Sequence, residues 1–138
     1  MSISQAQADA VIAATRQAAD EIGVPMNIAV FDDGANLKAF LRMDGALLGS
    51  ADIALGKAKT AALFGFNTEV FGEFCKPGGT SPGLENTNGG LVVFAGGIPL
   101  HNADGRVIGS VGVSGGAVAQ DFQVAKAAVA AIEAPAIT

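Results

Sequence analysis

Few residues in this sequence can do acid/base, nucleophilic or metal chemistry. His101 is the single histidine and Cys75 the single cysteine among 138 residues, and there is no Trp or Tyr. A structural zinc site of Cys and His type needs four ligands, and only these two exist. One cysteine cannot pair within its own chain, and any Ser-His-Asp or Cys-His site would have to use His101. The histidine can act as a haem or metal ligand or as a general acid/base, or sit exposed before a hairpin turn. Cys75 falls where a short helix meets a long loop. A helix C-terminus disfavours the thiolate, so Cys75 reads as an inert thiol or a contact to a ligand.

The other candidates are charged or amide side chains. Lys57 shares a helical stripe with Ile53, Thr60 and Phe64. A lysine there can anchor an acidic ligand, act as base or nucleophile when desolvated, or snorkel at the edge of an apolar face. Arg42 and Asp44 flank Met43 at a strand end, where they could orient a substrate carboxylate or close a turn. Glu85 and Asn86 bring acid/base and amide chemistry to a loop over 76–90 that is rich in Gly, Pro and Asn. A loop of that length inside a compact domain is unusual and often functional.

These side chains must be positioned by the elements around them. Residues 4–22 read as a helix, with Ser4 and Gln7 as a capping box, Val11, Ala14, Ala18 and Ile22 on one face, and Gly23 and Pro25 as the stop. Strands follow over 26–32 and 36–43, joined by the turn signal Asp33-Gly34. Helices are expected over 50–64 and 67–75, then strands over 91–95, 98–101 and 106–114. A final helix over 120–133 is stopped by Pro135. The order α-β-β-α-α-β-β-β-α lacks a β-α-β alternation, so it predicts an α/β protein of the α+β type, an antiparallel sheet with helices packed on it. Glycines on both faces of 106–114 predict the close approach of a helix or a ligand.

Two glycine motifs fail. Gly56-Lys57 is followed by Ala58 rather than Ser or Thr, and Gly109, Gly112 and Gly115 do not have the dinucleotide spacing. Thirteen acidic against eight basic residues give a net charge of −5, with no basic run, which argues against nucleic acid as a partner. No apolar run approaches a membrane span, the start carries no basic n-region, and a single thiol fits a reducing compartment. The sequence therefore predicts a cytoplasmic protein of one domain, 1–138, without a membrane partner.

Val30-Phe31-Asp32-Asp33-Gly34 with Leu37, Arg42-Met43-Asp44-Gly45, Ser50, Ile53-Ala54 and Lys57-Ala58-Lys59-Thr60-Ala61 form an ordered set. Gly96-Gly97-Ile98-Pro99, Gly105, 108–115, Gln120-Asp121 and Ala125 extend it. Over 3–134 this set resembles the GlcG/HbpS-like family, which also includes the C-terminal domain of PduO-type proteins. The resemblance implies a profilin-like fold, a five-stranded antiparallel sheet flanked by helices, and a homo-oligomer. It also implies small-molecule binding: some members bind haem, and some are encoded with glycolate or diol metabolism. In the haem-binding members the axial histidine lies near the N-terminal helix. This chain has none there, so His101 is the one available ligand if haem is bound, and no other metal site is expected.

The expectation is a small-molecule-binding protein whose pocket forms between the 76–90 loop, the Gly96-Gly97-Ile98-Pro99 segment and the Lys57 helix. Lys57, Glu85 and His101 are the candidates for acid/base work on a small oxygenated acid or carbonyl compound. Arg42, Asp44, Thr60, Cys75, Asn86, Gly96, Gly97 and Pro99 are the candidate ligand contacts. A haem- or corrinoid-binding accessory module without catalysis, and an assembly partner with a vestigial pocket, are the alternatives.

Overall fold

The computed structural model describes residues 1–133. Helix α1 spans Gln5–Ile22, strands β1 and β2 span Asn27–Asp32 and Leu37–Arg42, and helices α2 and α3 span Gly49–Phe64 and Thr68–Cys75. A 3-10 turn over Leu84–Asn86 lies in the long loop. Strands β3 (Gly97–His101) and β4 (Val107–Ser114) and helix α4 (Val118–Glu133) complete the order. Pro135, expected to stop the last helix, lies outside the described residues.

Local chemistry sets the element ends. The Ser4 side chain accepts from the Gln7 N–H, the Gln7 side chain accepts from the Ser4 N–H, and Gly23 closes α1 in the left-handed region. Such reciprocal capping satisfies N–H groups that the first helical turn cannot. In the β1–β2 turn, Asp32 Oδ1 accepts from the N–H groups of Gly34 and Asn36, each at 2.9 Å. Those bonds hold the Asp32 carboxyl below its usual value.

The strands form one antiparallel sheet in the order β2-β1-β4-β3. Among the described residues it has four strands, not the five expected. The fifth, over 91–95, is not a strand and bends at 94–95, because this segment runs along α2 and α3 instead of lying beside a strand. There the Val92 N–H donates to Thr60 Oγ1 at 3.1 Å, and Thr68 Oγ1 donates to the Phe94 carbonyl at 2.7 Å. Side chains thus supply partners that a sheet neighbour would otherwise provide.

One face of the sheet carries α1 and α4. Ile28, Val30, Ile98, Leu100, Val111 and Val113 bury there against Val11, Ala19, Val124, Ala125 and Ala128. The other face carries α2, through Ala29 and Phe31 against Ala54 and Ala58. Gly112 lets α2 lie almost on the strand, since a Cβ there would overlap the Ala54 carbonyl oxygen. Gly109 is approached by the Phe31 carbonyl of β1 and the Ile3 side chain, whereas the group that approaches Gly112 is a helix. Ser110 Oγ fixes the contact by donating to the Ala58 carbonyl at 2.6 Å.

Candidate functional site

Lys57 is fully buried, not at the edge of an apolar face. Its ammonium lies 2.9 Å from Asp121 Oδ2 and donates to the Val113 carbonyl at 2.8 Å. The Phe94 ring covers it, with its centroid 5.0 Å from Nζ. Asp121 Oδ1 in turn accepts from the Gly116 N–H at 2.9 Å. Burial lowers the Lys57 pKa, against the opposing hydrogen bond and charge of Asp121.

Gly96 closes over this ammonium, and Gly97 over the Lys57 backbone. A Cβ on Gly96 would stand 2.6 Å from Lys57 Nζ, and one on Gly97 would stand 2.5 Å from the Lys57 carbonyl oxygen and from Thr68 Cγ2. Thr60 is buried too, donating to the Gly56 carbonyl at 2.7 Å while accepting from Val92. These candidates form packing and hydrogen bonds where a pocket was expected.

The other candidates stand apart from them. Glu85 is the middle residue of the 3-10 turn and lies beside Cys75, whose Sγ–H donates to the Phe71 carbonyl at 3.2 Å. Burial, and then the Glu85 carboxylate, push the thiol pKa up, which disfavours a reactive thiolate. Asn86 is exposed on the same turn. His101 is exposed at the end of β3, an outer strand, where it shares with Pro99 a hollow of about 50 Å³. Arg42 and Asp44 lie at the opposite edge of the sheet, beside β2, in a hollow of about 310 Å³.

The helix and loop singled out by the sequence do enclose a groove, but Lys59 faces it, not Lys57. It has a volume of about 340 Å³ and lies between Asp52, Leu55, Gly56 and Lys59 of α2, Phe31 of β1, and 89–92. Two residues along a helix turn the side chain by about 200°, so Lys57 and Lys59 point to opposite sides. Lys59 Nζ donates to the Asn88 carbonyl at 2.6 Å. Asn88, Gly89 and Gly90 all have positive φ, at 54°, 74° and 106°, which bends the chain tightly around that ammonium. The groove thus has apolar walls, one cation and one carboxylate. Among the described residues no group of three or more His, Cys, Asp or Glu side chains could hold a metal ion.

The family model described as haem degrading protein HbpS-like matches residues 3–130. The chain belongs to this HbpS-like family. A 15.0 kDa protein from the dhaT-dhaS intergenic region of Citrobacter freundii is 41% identical over 128 residues, covering 92% of this chain and 89% of the relative. Corrinoid adenosyltransferase PduO of the same organism is 35% identical over 133 residues. That match covers 96% of this chain and 39% of PduO, so the HbpS-like chain spans well under half of that relative. A solved structure described as a PduOC–haem complex is 34% identical, with a TM-score of 0.91 and coverage of 96% of each chain.

The residues of this family member do not fit a histidine-ligated haem. α1 contains no histidine, and the hollow beside His101 is far smaller than a porphyrin. No described helix is long and apolar enough to cross a membrane.

Proposed function

We propose that this HbpS-like chain binds a small oxygenated acid in the groove between α2 and 89–92, with Lys59 as the anchoring cation. The observation that carries the reading is the convergence there of one ammonium, one carboxylate, a glycine-bent backbone and partly apolar walls in about 340 Å³. Ligand sites typically combine a mostly apolar cleft with a few convergent polar groups. The reading is binding without turnover through the sequence candidates. Lys57 is occupied by Asp121, Glu85 abuts a protonated thiol, and His101 stands at the far edge of the sheet. Calorimetry with glycolate, lactate and dihydroxyacetone tests it. Lys59→Met should weaken binding of the acids by about tenfold or more, the worth of one charge-assisted hydrogen bond. Equal binding by the variant overturns the assignment.

A second reading, haem, is favoured by the haem complex of the 34% identical relative. It requires attachment without a histidine from α1. A haem titration showing a histidine-ligated spectrum that His101→Ala abolishes would replace the first reading with this one.

The homo-oligomer is supported by the edge of the sheet, at β2, that α2 leaves open. Beside β2, Phe40, Leu47 and Leu48 are 37%, 64% and 80% exposed. Exposed apolar groups clustered in this way are a common mark of protein contacts.

A further inference from the structure

The loop that walls the α2 groove carries Asn88-Gly89, and Asn88 is the one asparagine of six that is followed by glycine. Both residues are exposed. The Asn88 Nδ2 group donates to Thr87 Oγ1 at 3.1 Å. The Gly90 N–H is taken up by the Thr87 carbonyl at 2.9 Å, whereas the Gly89 N–H donates to none of the described residues.

Lys59 bears on the same peptide unit. Its Nζ donates to the Asn88 carbonyl at 2.6 Å, and a Cβ on Gly89 would stand 3.6 Å from that Nζ. The Asn88 carbonyl oxygen and the Gly89 nitrogen are two ends of one resonating amide. An ammonium on the oxygen draws density from the nitrogen. It therefore stabilises the amide anion left when the Gly89 N–H gives up its proton, as a donor aimed at developing charge does. The Asn88 side chain offers that anion an electrophile, its Cγ carbonyl, through a five-membered ring. Glycine puts no Cβ in the way. Closure requires the exposed 88–89 backbone to turn and the Asn88 side chain to give up its bond to Thr87.

We propose that Asn88 is a site of Lys59-assisted deamidation, and that the product carboxylate closes the α2 groove to acids by pairing with Lys59. The Gly89 N–H proton passes to solvent, and the Gly89 nitrogen bonds to Asn88 Cγ. The Cγ–Nδ2 bond breaks, and Nδ2 leaves as ammonia with a proton taken back from solvent. Water then adds to the cyclic imide. Opening at Cγ gives aspartate, and opening at the former backbone carbonyl gives isoaspartate. Either route consumes one water, releases one ammonia and adds one negative charge, with no oxidant or reductant. In isoaspartate the freed carboxylate is built on the carbonyl that Lys59 already holds, so the ion pair forms in place. The closing of the groove rests on its reading as an acid site; the modification does not.

Storage of the full chain in neutral buffer, followed by intact mass and peptide mapping, tests the proposal. Asn88 should gain one mass unit before any other asparagine, with isoaspartate among the products. In the folded chain Lys59→Met should slow that gain by about threefold or more, a fraction of one charge-assisted hydrogen bond, and Lys59→Arg should keep most of the rate. In urea, where Lys59 no longer meets the loop, the three chains should react alike. The modified chain, separated by its extra charge, should bind glycolate about tenfold or more weakly than the unmodified one, and its Lys59 should be acylated more slowly by an amine reagent. Another asparagine reacting first, or an equal or faster gain in folded Lys59→Met, overturns the assisted deamidation. Equal acylation of Lys59 in the two forms overturns the ion pair. If Asn88 reacts and Lys59 is protected as expected but the unmodified chain binds no glycolate, the modification is supported and the reading of the groove is overturned.

Discussion

A lysine with no exposed surface must be neutralised where it sits, and Lys57 depends on Asp121 and the Val113 carbonyl. Removing one member of a buried pair strands the other charge, at a cost of about 3–5 kcal/mol, while replacing both by apolar groups can be neutral. Urea denaturation should therefore find Asp121→Ala strongly destabilised, and the double variant Lys57→Met with Asp121→Leu much less so. The pH sign follows from the lowered Lys57 pKa. A folded value below 10.5 means the unfolded chain binds this proton more tightly. The group thus penalises folding at neutral pH, and the penalty is relieved as pH rises through the folded value towards 10.5; Lys57→Met should remove that slope. Cys75 has the opposite sign. Its pKa lies above 9.0, so alkylation by iodoacetamide should rise with a midpoint above 9.0, and Glu85→Gln should move the midpoint down. A midpoint below the ordinary thiol value would contradict this. The sequence marked Lys57 as a lysine with special surroundings, but not as a core ion pair. Its partner lies 64 residues away, and no spacing rule connects them.

Elements with strong local signals were legible. The Ser4–Gln7 capping box and the β1–β2 turn both occur where the residues place them, although the turn is held by Asp32 and takes its positive φ at Ala35, not at Asp33 or Gly34. α2 shows where that logic ends. Its sequence is mostly small residues, and it is packed by the sheet on one side and by 89–93 on the other, so no polar stripe distinguishes an outer face. Lys57 and Lys59 could not be assigned to opposite sides from such a pattern. Residues 91–95 have strand composition, but helices and threonine hydroxyls take up their backbone groups. The close seating of α2 makes Gly112→Ala a specific test. A methyl there meets the Ala54 and Ala58 backbone, and overpacking of this kind costs about 1–3 kcal/mol. Chemical denaturation should show a loss in that range, whereas Gly78→Ala, with open space around it but strained φ, should show only the backbone cost.

At the scale of the whole molecule, the α2 side of the sheet is incompletely covered near β2, and Phe40, Leu47 and Leu48 stand in that gap. We expect light scattering to give a mass above that of a single 13.7 kDa chain, and Leu47→Glu with Leu48→Glu to lower it. A wild-type monomer at about 50 µM, a concentration where specific assemblies of micromolar affinity form, counts against this.

The strand order also has a kinetic consequence. β1–β2 and β3–β4 are each joined by a short turn, while β1 meets β4 only across α2, α3 and the long loop. The two hairpins can form early at little entropic cost, but the central ladder must wait until a long loop has closed. Lys57 to Val113, Lys57 to Asp121 and the Ile3 N–H to Ile108 carbonyl bond all depend on that same closure. Pulse-labelling hydrogen exchange during refolding is therefore expected to protect the two hairpins before the β1–β4 seam, and simultaneous protection of all three ladders would contradict this.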